Sequence, residues 1–234
     1  MRLIFSPLDL AALAVFAACW WGYPWYAERR ERRTPGLVRL TSRYRLEWMR
    51  QMLVRDLRMV DTSLIATLTQ SSTFFSSTTV FILGGVVALL GTSDTVQSAL
   101  GRLPGAVRTS EQLWELKLLL LALIFIYAFF KFTWSLRQFN FVGVLVGATP
   151  PPGAPNCEDV ARRAAEMAVL AAEDFNQGLR AYYFALAALT WFVNPLVFIV
   201  ASVGVVAILF MLEFRSNAVK VLASVHVDAA DRRD

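Results

Sequence analysis

Residues 173–195 read EDFNQGLRAYYFALAALTWFVNP. The first eight, through Arg180, are polar or charged apart from Phe175, Gly178 and Leu179; from Ala181 the run is almost wholly apolar, and no turn separates the halves. A helix satisfies its own backbone in water and in lipid alike. One helix can therefore start in an aqueous compartment and continue into a bilayer. Upstream, the breaker TPPPGAP at 149–155 is followed by Asn156, a helix-cap residue type, with Asp159 three positions on where a capping box needs an acid. At about 1.5 Å per residue, a helix over 157–181 would reach about 35 Å below or along the membrane face. Asn194-Pro195 then falls in mid-bilayer. Proline leaves a carbonyl of the preceding turn without its donor, so a kink is expected there.

Composition agrees with a membrane chain. Of 234 residues, 56% are hydrophobic and 18% charged, whereas soluble domains average roughly 45–50% apolar with about a quarter charged. Four apolar stretches, at about 8–26, 74–90, 113–134 and 182–212, approach the roughly 20 residues that cross a bilayer. The fold expected is all-α: a four-span transmembrane bundle forming one integral membrane domain over 1–234, with cytoplasmic helices over about 37–70 and 157–181. The first stretch opens with SPLD, in which Ser6 caps, Pro7 takes the first helical position and Asp9 reaches back. VFAAC at 15–19 faintly resembles a lipoprotein cleavage site. The aromatic run WWGYPWY after Cys19 reads instead as an interfacial belt, so no cleavage is expected.

Charge sets the expected orientation. Residues 28–61 carry ten arginines, and Lys131, Arg137, Arg162, Arg163 and Arg180 follow in the third connection. The second connection holds only Arg102 and Arg108. The positive-inside tendency places the first and third connections in the cytoplasm of a cell with this chain in its inner (plasma) membrane, and both termini outside. No aromatic-interleaved module surrounds the arginines, so no nucleic acid is expected as a partner. Cys19 and Cys157 have no framework spacing, and neither a disulfide nor a thiolate site is expected.

In RLEWMRQMLVRDLRMVDTSL, apolar Leu46, Met49, Leu53, Leu57, Val60 and Leu64 recur every three or four residues, one stripe of a helix. Nothing in the pattern stops that helix before the second span. Glu158–Arg162 and Asp159–Arg163 are favourable pairs four apart. Ala161, Ala165, Ala168 and Ala172 make a small-residue stripe that admits a neighbouring helix, and with the small residues of the second span it points to a homo-oligomer. Thr109 with Gln112 is expected to cap the third span.

Several constellations could carry function. The second span is entered through LTQSSTFFSSTTVFILGG, where Ser72/Ser76, Thr73/Ser77 and Gly84/Ala88 stand four apart. These favour helix packing; the sharper reading is a solute path along Thr73, Ser77 and Thr79, with Asn194 and Pro195 in the kinked span. Gln70, Arg137, Asn140, Asn176 and Arg180 should come near the cytoplasmic face, where guanidinium and amide donors suit anionic lipid headgroups. The plainer alternative is snorkelling or pairing with Glu173 and Asp174. Glu115 and Lys117 lie inside the third span but close enough to its outer end to snorkel. Glu166, Glu173 and Asp174 could share a face. The sole histidine, His226, lies in the terminal tail, and no phosphate-cradling loop occurs. No catalytic residue, metal site or cofactor is expected, and the chain is not read as an enzyme.

FFKFTWSLRQFNF at 129–141 and FNQGLRAYYFALAALTWF at 175–192 resemble the bacterial branch of the membrane-protein family catalogued as domain of unknown function 599, which also has plant members. The similarity runs from about Arg45 to Arg215 and includes the Ser/Thr-rich second span and the Lys117 position. It implies a multi-pass membrane protein without an established activity, and it carries over no catalytic or binding residues. The functional expectation is an oligomeric channel or transporter for a small ion or solute. The alternative is a non-catalytic structural or assembly subunit of a membrane complex.

Overall fold

The computed structural model describes residues 6–32, 34, 36–91, 110–151, 154 and 156–231, with side chains described through Ser224. Among these residues the fold is helical and contains no strand. Its helices are α1 (Pro7–Glu31), α2 (Leu37–Leu53), α3 (Met59–Leu90), α4 (Glu111–Ala148), α5 (Cys157–Thr190), α6 (Pro195–Phe210), a π-helical turn (Met211–Arg215) and α7 (Asn217–Asp231). Among the described residues, three segments are long and apolar enough to cross a membrane: Met59–Leu90, Glu111–Ala148 and Pro195–Ser224. That corrects the count of four. The first stretch does form one helix, α1, but Asp9 and the run Trp20, Trp21, Tyr23, Pro24, Trp25 dilute its hydropathy. The second connection, with Arg102, Arg108 and Thr109, lies outside the described residues. Ser110 serves at the start of α4, its Oγ accepting the Leu113 N–H at 3.3 Å.

The chain divides into two compact units: Met1–Arg30, Ser77–Phe129 and Gly178–Phe210 form one, and Glu31–Ser76, Phe130–Gln177 and Met211–Asp234 the other. The first has an aromatic core. Phe16 of α1 packs edge-on against Phe184 and tilted against Phe198, and Trp191 stacks on Phe198 at 5.3 Å. The capping box at the head of α1 forms as expected. Ser6 donates its hydroxyl and its N–H to Asp9 Oδ2 at 2.7 and 3.3 Å, while Ser6 Oγ accepts the Asp9 N–H at 3.1 Å.

The second unit is built on small residues. Met49, Met52, Ile65, Val142 and Val146 pack against Ala161, Ala164, Ala165 and Ala168. The alanine stripe is therefore covered within the chain, and the homo-oligomer expectation loses that part of its basis. The expected continuous helix over 37–70 is also interrupted: α2 stops at Leu53 and α3 starts at Met59. Polar side chains hold the break. Asp61, in the first turn of α3, accepts from Arg55 and from the Trp48 indole, the latter at 2.7 Å. Arg58 donates to the carbonyls of Val146, Thr149 and Pro150 at the end of α4. Leu57, Val60 and Leu64, expected on the buried stripe, are exposed because the phase of the helix restarts.

The start of α5 departs from expectation as well. Asn156 sits at φ 67°, in the left-handed region that asparagine tolerates, and Asp159 pairs with Arg162 at 3.5 Å instead of closing a capping box. Arg162 also reaches Glu166, and Glu158 pairs with Arg50 at 2.8 Å. The expected pairs Glu158–Arg162 and Asp159–Arg163 give way to these.

Candidate functional site

The polar side chains of the apolar helices fall into an inward set and an outward set. The inward set begins where α5 ends. Backbone N–H groups of Trp191, Phe192 and Val193 bond three residues back, tightening the last turn. Asn194 Oδ1 then accepts the Leu196 N–H at 2.8 Å, and Pro195 takes the first position of α6. The expected kink is thus a full break with a capped restart. Proline has no N–H, so the Trp191 carbonyl four residues earlier lacks a helical donor. Lys117 of α4 supplies one, its Nζ donating to Trp191 O at 2.9 Å.

Lys117 does not snorkel. It is 3% exposed, with its ammonium 5.3 Å from the Trp191 ring centroid, a cation–π contact. The Trp191 indole donates in turn to Asp9 Oδ1 at 2.9 Å. Asp9 is therefore both a cap and the buried end of a chain of contacts joining α1, α5 and α4. Glu115, by contrast, is exposed. Trp191 had no signal in the sequence; its part follows from Pro195 and from helix packing that a linear pattern does not contain.

The inward set continues on α3 and α4. Ser72 and Ser135 share a hydrogen bond at 3.2 Å, and Ser135 donates to the Ala171 carbonyl at 2.7 Å. Ser76 and Thr133 share one at 3.2 Å, and Thr79 and Tyr182 share one at 2.8 Å. Asp174 of α5 accepts from Lys131 Nζ at 2.8 Å and from Gln138 Nε2 at 2.9 Å. These bonds weld helices together. Thr79, expected on a solute path, belongs here: it is fully buried. Glu173 lies near enough to Arg45 to counter the fall in that guanidinium's pKa that burial causes.

The outward set is small. Gln70, Thr73 and Ser77 lie three and four residues apart on α3, and all are exposed. Thr73 donates to its own helix, to the Thr69 carbonyl at 3.0 Å. Gln70 and Thr73 line an open groove of about 530 Å³ with Thr69 of α3 and with Phe139, Asn140 and Gly143 of α4. Gln70 and Asn140, two residues of the polar cluster read from the sequence, thus line one groove. It does not gather the rest of that cluster. Arg137 lies over the rings of Trp134 and Phe141, both at 5.7 Å; Arg180 lies over Tyr23 at 5.5 Å; Asn176 is half-buried and lines no part of the groove. Among the described residues, no group of three or more His, Cys, Asp or Glu side chains stands close enough to hold a metal ion, and Cys19 and Cys157 are free thiols.

A family model described as "Protein of unknown function, DUF599" matches residues 11–218. No curated protein and no solved structure matches the chain. The matched region covers the described helices from α1 into α7, including the Lys117–Trp191 contact and the Gln70–Asn140 groove. The chain belongs to the DUF599 family, described as proteins of unknown function.

Proposed function

We propose that copies of this chain assemble in the inner membrane as a channel or transporter for a small ion or solute, with the outward face of α3 along the path. One observation carries the reading. Gln70 and Ser77 of α3 and Asn140 of α4 are exposed and form no hydrogen bond within the chain among the described residues, although both helices are apolar enough to span a bilayer. A carboxamide facing hydrocarbon costs several kcal/mol without a partner. Water in a path shared by several copies would satisfy it. Small residues continue the exposed face: at Gly84 and Gly85 an added Cβ would meet nothing within 4 Å.

The role is non-enzymatic in this proposal, with no cofactor, and the arginine-rich 28–61 connection faces the cytoplasm. Both termini then lie outside if α1, which packs through Phe16 on Phe184 and Phe198, enters the bilayer with its neighbours. Purified protein in proteoliposomes tests the reading. It should sediment as an oligomer and release a small entrapped ion or solute, and Gln70→Leu should abolish release while leaving the oligomer intact. A monomer in lipid, or liposomes that stay tight to every small ion and solute tried, would contradict it.

A second reading has its own support. So many hydroxyls are consumed by helix packing that the chain could serve as a rigid assembly subunit. Stoichiometric partners on mild extraction from native membranes, without flux, would favour that role.

A further inference from the structure

We infer that Trp25 and Arg29, on the last turns of α1, form a docking point for the headgroup phosphate of an anionic phospholipid. Trp21, Trp25 and Arg29 stand four residues apart and so share one face of the helix. Trp21 is 72% and Trp25 63% exposed. In a membrane chain, indoles displayed in this way settle at the headgroup level, with apolar faces toward the acyl chains. The Arg29 guanidinium lies 5.2 Å from the Trp25 ring centroid. The ring contact restrains the side chain, and the planar guanidinium fork offers the paired N–H donors that bidentate phosphate binding requires.

Arg30 and Arg180 are engaged elsewhere. Arg30 donates to the Tyr26 hydroxyl at 3.0 Å and covers Phe210 at 5.0 Å, and Arg180 covers Tyr23. Arg29 makes no hydrogen bond or ion pair with the protein among the described residues; its contact is the Trp25 ring. Residues 28–33, ERRERR, hold four arginines against Glu28 and Glu31, so the local field favours an anionic over a zwitterionic headgroup. The exposed indoles commit the site to lipid rather than to a free anion. This inference depends on the membrane placement of the chain and not on transport.

The full chain, reconstituted in phosphatidylcholine nanodiscs containing a minor share of phosphatidylglycerol, gives the test. The ratio of anionic to zwitterionic lipid retained per protomer is measured after extraction. Enrichment of phosphatidylglycerol is expected. Arg29→Ala should weaken its retention about five-fold, Trp25→Ala should lower it, and Arg29→Lys should restore part of it. Arg50→Ala, which removes an exposed arginine paired with Glu158, should leave it unchanged. Four outcomes would overturn the inference: unaltered enrichment in Arg29→Ala; an equal loss in Arg50→Ala; displacement of the lipid by soluble glycerol phosphate; or a change of oligomer size in Arg29→Ala with lipid retention intact.

Discussion

α3 and α4 are both long and apolar, yet they end up in opposite circumstances. In the most apolar stretch of α4, 44% of residues are buried within the chain; in that of α3, 11% are. The polar groups follow the same division. On α4, Lys117, Lys131, Ser135 and Gln138 all bond to neighbouring helices. On α3, Ser72, Ser76 and Thr79 do so, while Gln70, Thr73 and Ser77 face outward. Polar residues in apolar helices thus fall into two groups here, one bonded between helices of the chain and one turned outward. Only the direction of the side chain tells them apart.

The comparison can be broken first at α4. Asp174→Ala removes the carboxylate that accepts from the Lys131 ammonium and the Gln138 amide, both partly or fully buried, and should destabilise the fold by about 3 kcal/mol. Denaturation in mixed micelles measures it, and an unchanged midpoint would mean that the inward set is not structural. Lys117→Met comes next. It keeps the apolar stem but removes the donor to the Trp191 carbonyl, at an expected cost of about 2 kcal/mol. A smaller effect, about 1 kcal/mol, is expected for Ser135→Ala, because the Ala171 carbonyl keeps its place in the α5 ladder. Changes on the outward face should hardly register: Ser77→Ala is expected within about 0.5 kcal/mol of the parent. That near-zero value sharpens the contrast if activity or assembly changes at the same time.

Much of this arrangement was legible in the residues. The all-helical membrane character followed from apolar run lengths, the SPLD cap from local spacing, and the family from its motifs. What misled was local pattern applied across breaks set by distant contacts. The stripe from Leu46 to Leu64 looked continuous because neither Val54 nor Leu57 resembles a breaker. The break is held by Asp61 with Trp48 and Arg55, and by Arg58 with the end of α4. Asn194-Pro195 marks the disruption in the sequence itself. Its consequence, a buried lysine filling the vacated carbonyl, required knowing that α4 lies beside it. Likewise the spacing of Thr73, Ser77 and Thr79 could not show that two face out and one faces in; residues 73 and 77 share a helix face, whereas 79 lies on another. The first stretch illustrates a limit of composition. It has the length of a span, but its aromatic run and Asp9 keep it below the hydropathy of the other three.

The most direct test labels cysteines placed one at a time at Thr73, Ser77 and Thr79, in a chain whose Cys19 and Cys157 are replaced by serine, using a water-soluble thiol reagent on native membranes. Cysteines at 73 and 77 should react and the one at 79 should be protected. If 73 and 77 are as unreactive as 79, the outward face of α3 meets lipid or protein, and a water-filled path along it does not exist.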